Sequence, residues 1–353
     1  MLELLLHAEL SVLECRWPCR HGWASVDARC KKKLWLTCDI PIEGIAMEHF
    51  PVTIQGHPFA YGLVTTKVPD TGVIFVHGFD GNPKTTWVNF EGMVEGTNHR
   101  SMWNKCDLFF YAYESRDQIP VLARAFLTFL KRIATYKGRD IIDPSNYSVR
   151  SIGKFKLGVP INFLTFRGGD PYKNMILVGH STGAVIIREA LCKAVRDIIK
   201  DQKDLQEWLK RKTPNNADRL IVDSRLRFFA PAHRGVIAAG NLGIARNVPI
   251  IEKALALRLA SSPLYQNLSQ EGAFILDLRA ETEKLYEQYK FEALRARSLF
   301  GEHEEIVNAK GYSHDEETEF EPGHYHSSVC KPGMQYSKPL TFVMDASSSA
   351  KNA

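Results

Sequence analysis

The segment NMILVGHSTGAVIIREAL, residues 174–191, constrains the chain more than any other stretch. An apolar run rich in Ile, Leu and Val stops at Gly179. His180, Ser181 and Thr182 follow, and Gly183 opens a second apolar stretch with helical spacing. A buried strand therefore passes straight into a buried helix through Gly-His-Ser-Thr-Gly. So tight a turn forces the central serine into a strained backbone conformation. Side chains at the flanking positions would collide, which is what glycine there avoids. The serine hydroxyl is lifted above the carboxyl end of the strand. It stands over a helix start whose first N–H groups have no intrahelical partners and whose dipole is positive. In this strand–turn–helix setting, G-x-S-x-G is the pattern of a nucleophilic serine.

The rest of the chain supplies a fold around that turn. The apolar runs TGVIFVHG (71–78), CDLFFYAYES (106–115), KNMILVGHS (173–181), RLRFFAPAHRG (225–235) and ALRARSLFGE (293–302) read as strands. They are apolar almost throughout, as in a parallel sheet covered on both faces. PVTIQGHPFAYGLV reads as two short strands around a Gly-His-Pro turn. Helical spacing runs over 119–136, from Val185 to about Leu209, and over EKLYEQYKFEAL. Strands alternating with helices predict an α/β fold with a mostly parallel central sheet flanked by helices. Residues 236–280 are mostly helical in pattern and contain no strand, which predicts a cap-like helical insertion after the fourth main strand. Residues 1–45 differ in composition and carry no period, so they are expected to be an N-terminal extension to a domain spanning 46–340. The low-complexity end predicts a frayed tail over 341–353.

Charge and cysteine usage narrow the class. A net charge of +5 over 353 residues, with no dense Lys/Arg stripe, argues against a nucleic-acid partner. No stretch reaches the length of a membrane-spanning helix. The opening MLELLLHAEL is short, carries Glu3 and lacks a basic n-region, so it is not read as a secretory signal. Seven cysteines, an odd number, fit a reducing compartment. The expectation is an intracellular, cytoplasmic protein. Cys15, Cys19, Cys30, Cys38 and His21 offer zinc-ligand chemistry, but without paired CxxC spacing they predict no metal site.

A nucleophilic serine needs partners. The loop His77-Gly78-Phe79-Asp80-Gly81 follows an earlier apolar strand, where a second oxyanion donor is expected. Its glycines allow the Phe79 N–H to face Ser181, paired with the Thr182 N–H. The base belongs late in the chain, after the last strand, where His324 and His326 stand together in GHYHSSVCKP. His233, His303 and His314 are read as structural or loop residues. The acid belongs at the end of the strand before the base, where Glu302, Glu304 and Glu305 cluster. The frame Gly301-x-x-Glu304 selects Glu304, with Glu305 as runner-up.

Four blocks carry a resemblance: VHGFDGNPKTTW, LVGHSTGAVIIREAL, FFAPAHRG and GHYHSSVCKP. In this order they resemble the α/β-hydrolase superfamily. They are most similar to its lipase/esterase-like branch, which has an HGLxG-x-P-x-x-TW loop, a GHSxGG-type turn, a GTPHRG strand end and a final HSxxCK block. That branch includes mitochondrial phospholipid-remodelling proteins and hydrolase modules of some fungal multidomain proteins. The resemblance covers roughly residues 55–335. It implies Ser181 as nucleophile, Phe79 and Thr182 as oxyanion donors, His326 as base and Glu304 as acid, with His77, Gly78, Gly179, His180 and Gly183 in support. The chain departs from the pattern in having Glu rather than Asp as acid, Ala184 where relatives often have a second glycine, and APAHRG for GTPHRG. The resemblance implies a cofactor-independent serine hydrolase acting on a small-molecule or lipid ester. The alternatives are a ligand- or partner-binding protein of the same fold, an amidase and an acyltransferase.

Overall fold

The computed structural model describes residues 49–65, 68–94, 100–136, 150–152, 155–157, 172–201, 205–210, 217–236, 265–269 and 272–345. All lie in the unit Met47–Ala353. The N-terminal segment with its cysteines, most of the expected cap and the residues after Asp345 fall outside the described residues.

The main sheet has eight strands: β1 (His49–Ile54), β2 (His57–Thr65), β3 (Thr71–Val76), β4 (Cys106–Tyr111), β7 (Asn174–His180), β8 (Arg225–Phe229), β9 (Ala296–Gly301) and β10 (Glu319–Glu321). Their order is β1-β2-β4-β3-β7-β8-β9-β10, while β5 (Arg150–Ile152) and β6 (Phe155–Leu157) form a separate antiparallel pair. The β1/β2 and β2/β4 pairings are antiparallel and the remainder parallel, giving the mostly parallel sheet expected from the sequence. Each strand expected from an apolar run is present. Among the described residues, the addition to the main sheet is β10, whose sequence Glu-Phe-Glu has no apolar run to announce it; it pairs with β9 at the sheet edge.

Helices cover the sheet: α1 (Pro83–Thr86), α2 (Phe90–Val94), α3 (Arg100–Trp103), α4 (Ile119–Tyr136), α5 (Thr182–Asp201), α6 (Leu205–Lys210), α7 (Ala217–Val222), α8 (Tyr265–Leu268), α9 (Ala273–Tyr289) and α10 (Lys338–Met344). The periodic stretch 119–136 forms α4 over its whole length. Of the stretch expected to run to Leu209, Thr182–Asp201 forms α5 and Leu205–Lys210 forms α6. The helix expected in EKLYEQYKFEAL begins earlier, at Ala273, because Ile275, Leu278, Thr282 and Leu285 bury one stripe. It ends where Lys290 turns left-handed, at φ 55°.

Helices α4, α5 and α7 pack on one another, and α9 packs on α5. An aromatic cluster joins Phe75, Trp87, Phe90, Phe110, Phe229 and Phe342. Every residue of β3 and β4 is buried, including Asp107 within β4. A buried carboxylate needs donors, and Asp107 accepts from the Thr65 N–H at 2.9 Å and the Tyr172 hydroxyl at 2.6 Å.

Register aligns the carboxyl ends of the central strands. Val76 pairs with both Tyr111 and Gly179, and His180 pairs with Phe229. The loops after β3, β7, β8 and β9 therefore emerge together, at the end of an open α/β sheet where ligands bind. Two glycines make this close approach possible. A Cβ on Gly183 would run into the carbonyl oxygens of Val76 and His77, and one on Gly179 would stand 2.7 Å from the Ala184 Cα.

Replacing Gly183 by Ala is expected to cost about 3 kcal/mol or more, because backbone rather than a flexible side chain must move. Gly92 in α2 has nothing within 4 Å of its Cβ position. Gly92→Ala is expected to be neutral or stabilising by up to about 1 kcal/mol. Urea denaturation of both variants checks the contrast; similar stabilities would show that the turn does not depend on this packing.

Candidate active site

Ser181 has φ +52°, in the left-handed region that a non-glycine residue rarely adopts. Its surroundings hold it there. The Ser181 N–H donates to the Phe229 carbonyl at 3.0 Å, and the Ser181 carbonyl accepts from Ala184 at 3.1 Å and Ala232 at 3.2 Å. The strain of order 1–3 kcal/mol that such a residue carries is thus borne by β8 and α5 together. The serine is buried, with 7% of its surface exposed.

The loop after β3 packs against it. A Cβ on Gly78 would lie 3.0 Å from the Ser181 Cβ and 2.9 Å from the His180 Nδ1, so only glycine fits. The Gly78 carbonyl is held at 2.8 Å by the His77 Nδ1 and at 3.2 Å by the Gly81 N–H. The carbonyl and the Phe79 N–H belong to one planar trans peptide, so pinning the first aims the second the opposite way. Among the described residues, neither the Phe79 N–H nor the Thr182 N–H donates to another protein group.

His77 is fixed in turn by Tyr113. The two rings stack at 4.2 Å between centroids with an interplanar angle of 2°. The Tyr113 N–H donates to the His77 Nε2 at 3.3 Å, and the Tyr113 hydroxyl donates to the His77 carbonyl at 2.9 Å. Because Nε2 accepts, Nδ1 carries the hydrogen and the ring is neutral. Burial lowers its pKa to about 4.

The loops after β9 and β10 converge on the same end of the sheet. Gly301 lets the end of β9 approach the 324–325 backbone, where a Cβ would stand 2.8 Å from the Tyr325 N. Glu302 N–H donates to the Glu321 carbonyl and His303 N–H to the His324 carbonyl. This places the Glu304 carboxylate 3.0 Å (Oε2) and 3.1 Å (Oε1) from the His326 Nδ1. Oε1 also accepts the N–H groups of Ile306 at 2.9 Å and Val307 at 3.0 Å. Both side chains are 2% exposed. A carboxylate accepts, so the Nδ1 of His326 bears the hydrogen and Nε2 is the basic nitrogen. The His180 Nε2 lies 2.9 Å from the His326 carbonyl oxygen, tying this loop to the residue before Ser181.

The structure thus brings Ser181, Phe79, Thr182, Glu304 and His326 to one end of the sheet, with His77, Gly78, Gly179, His180 and Gly183 around them. The alternatives stand elsewhere. His324 stacks on Tyr336 at 3.7 Å, with its Nδ1 3.4 Å from the Ser328 hydroxyl. Glu302 accepts the Gly323 N–H, and a Glu305 carboxylate oxygen is buried with no hydrogen-bond partner among the described residues.

Sequence reasoning missed the bracing of the loop that carries Glu304. Arg188 of α5 is 1% exposed and pairs with Asp315 at 2.5 Å. It also donates to the Leu294 carbonyl at 3.1 Å and lies 4.1 Å over the Tyr312 ring. Asp315 caps the N–H groups of Ala296 and Tyr312. From the loop after β8, His233 bonds the Lys310 carbonyl and Arg234 bonds the Gly311 carbonyl twice. The signal for Arg188 was visible as a charge beside Glu189 in the otherwise apolar AVIIREALC; nothing marked Tyr113.

Three buried histidines make stability depend on pH. Burial lowers the pKa of His77 to about 4 and those of His180 and His233 to about 3. Below the unfolded value of 6.5 the unfolded chain binds protons that the folded chain refuses, so their contribution is complete above pH 6.5 and is lost progressively as pH falls to about 3. With three such groups, urea-unfolding free energy is expected to drop by on the order of 4 kcal/mol per pH unit near pH 5. Equal stability at pH 7 and pH 5 would contradict neutral burial of these rings.

No family model and no curated protein matches the chain. Solved structures that it resembles include the mature Bacillus licheniformis lipase BlEst2, at 15% identity, covering 80% of this chain and 91% of that chain, with a TM-score of 0.41. Phospholipase PlaB from Legionella pneumophila is 16% identical over 66% of this chain and 39% of that chain, TM-score 0.37. Esterase B from Lactobacillus rhamnosis is 10% identical over 78% and 75%, TM-score 0.38. The strand order, the antiparallel start followed by parallel strands, and the left-handed serine between β7 and α5 give this chain the α/β-hydrolase fold.

Proposed function

We propose that the protein is a serine hydrolase that cleaves a carboxylic ester through an acyl-enzyme on Ser181. The observation that carries this reading is the buried Glu304–His326 hydrogen bond, set in a loop that His180 ties to the Ser181 turn. Nδ1–H is committed to the carboxylate, so Nε2 is the nitrogen that accepts the Ser181 proton. The serine oxygen then adds to the ester carbonyl. The negative charge that develops on the carbonyl oxygen is met by the Phe79 and Thr182 N–H groups and by the start of α5. Glu304 stabilises the imidazolium, which passes its proton to the departing alkoxide as the C–O bond breaks. Water adds to the acyl-enzyme with His326 as base again, and collapse returns the proton to Ser181 and releases the acid. Glutamate serves as the acid because the Ile306 and Val307 N–H groups fix its longer side chain.

A fluorophosphonate probe is expected to label the purified protein at Ser181. A panel of p-nitrophenyl esters of increasing chain length, run beside an anilide, reads the substrate class. Turnover of esters supports the reading; turnover of the anilide alone would make the protein an amidase, and no labelling of folded protein would make it a binding protein.

Ser181→Ala is expected to lower kcat by on the order of a thousandfold or more, and Glu304→Gln by about a hundredfold or more. Wild-type turnover in either variant would remove that residue from the mechanism.

A further inference from the structure

The mechanism above makes no chemical use of His180, the residue between Gly179 and Ser181. Its ring is buried at the base of the site and stands edge-on to Trp87, 6.4 Å between centroids. Nε2 lies 2.9 Å from the His326 carbonyl oxygen. A carbonyl only accepts, so Nε2 carries the hydrogen and Nδ1 is left as an acceptor. That Nδ1 is buried and has no hydrogen-bond partner among the described residues, packed where Gly78 has no side chain. Burial and the neighbouring His326 hold the ring neutral, with its pKa lowered to about 3, so Nε2 remains a neutral donor across ordinary assay conditions.

An unpartnered buried acceptor is a cost to the fold. A phenyl ring would occupy nearly the same space with no polar atom to bury. What histidine adds is one N–H, and that N–H reaches the main chain of the residue whose side chain is the base. Its donor belongs to the residue bonded to Ser181, and its acceptor to His326 itself. The imidazole of His326 is then held at two points, its Nδ1 by Glu304 and its backbone by His180.

We infer that His180 is a positioning residue: its Nε2–H bond to the His326 carbonyl sets the imidazole against the Ser181 hydroxyl, and the fold accepts a buried unpaired nitrogen to keep that bond. The inference rests on the serine-hydrolase reading. It separates stability from activity in a way that a packing role does not.

The test compares wild type with His180→Phe and His180→Gln. The amide nitrogen of Gln reaches the place of the His Nε2, so it restores the donor. Thermal unfolding, the rate of fluorophosphonate labelling, and kcat and KM on a p-nitrophenyl ester are measured for each. H180F is expected to unfold at or above the wild-type temperature. Its labelling rate and kcat should fall about 10- to 100-fold, the scale of a catalytic group misplaced by about 1 Å, while KM changes little. H180Q is expected to recover most of the lost rate. If H180F does not fold, H180Q against H180M, side chains of equal length with and without the donor, carries the same comparison. Labelling of H180F at the wild-type rate, or equal losses in the donor and non-donor variants, would overturn the inference while leaving the hydrolase reading intact. A wild-type protein that resists labelling would remove both.

Discussion

The left-handed backbone of Ser181 is the constraint on which the site depends. At φ +52° the residue reverses the chain between a buried strand and a buried helix within a single step. Only glycine can stand at 179 and 183, because the helix start lies against the strand and against the carbonyls that end β3. The close fit has two effects: it presents the hydroxyl at the carboxyl edge of the sheet, and it brings the first turn of α5 beneath it. Cross-bonds from Ser181 to Phe229 and Ala232 mean that the strained residue cannot relax without disturbing β8. Local strain is held by tertiary packing, as at many functional sites.

Around this turn the remaining parts are held by main-chain bonds and by buried side chains that make no chemical step. His77 and Tyr113 fix the peptide that carries the Phe79 N–H. Arg188, His233 and Arg234 brace the loop that carries Glu304 from two different elements. Breaking a buried pair such as Arg188–Asp315 leaves a charge without its partner, a loss of about 3–5 kcal/mol in comparable cases. The bracing is therefore costly to disturb, as the proposed hydrolytic site would require.

Much of the fold was legible because it is written in long apolar runs. TGVIFV, CDLFFY and NMILVGH each form the strand they announce, and 119–136 forms its helix end to end. Turn chemistry and position singled out Ser181 and Glu304, and the structure sets the Glu304 carboxylate against the His326 Nδ1. What the sequence hid is long-range. Nothing local in Glu-Phe-Glu marks β10, which exists because β9 offers it an edge. Nothing near Tyr113 signals a bond to His77, 36 residues away. The partnership of Arg188 with Asp315, 127 residues apart, needs the folded chain. The APAHRG block suggested a structural His233, but its role in gripping Lys310 and Gly311 depends on a loop that has no pattern of its own.

A crystal structure of the protein after reaction with an alkyl fluorophosphonate tests the central claim most directly. The account predicts phosphorus bonded to the Ser181 Oγ, with the phosphonyl oxygen within hydrogen-bond distance of the Phe79 and Thr182 N–H groups and the His326 Nε2 beside the adduct. A phosphonyl oxygen turned away from both amides, or an adduct on another residue, would contradict it.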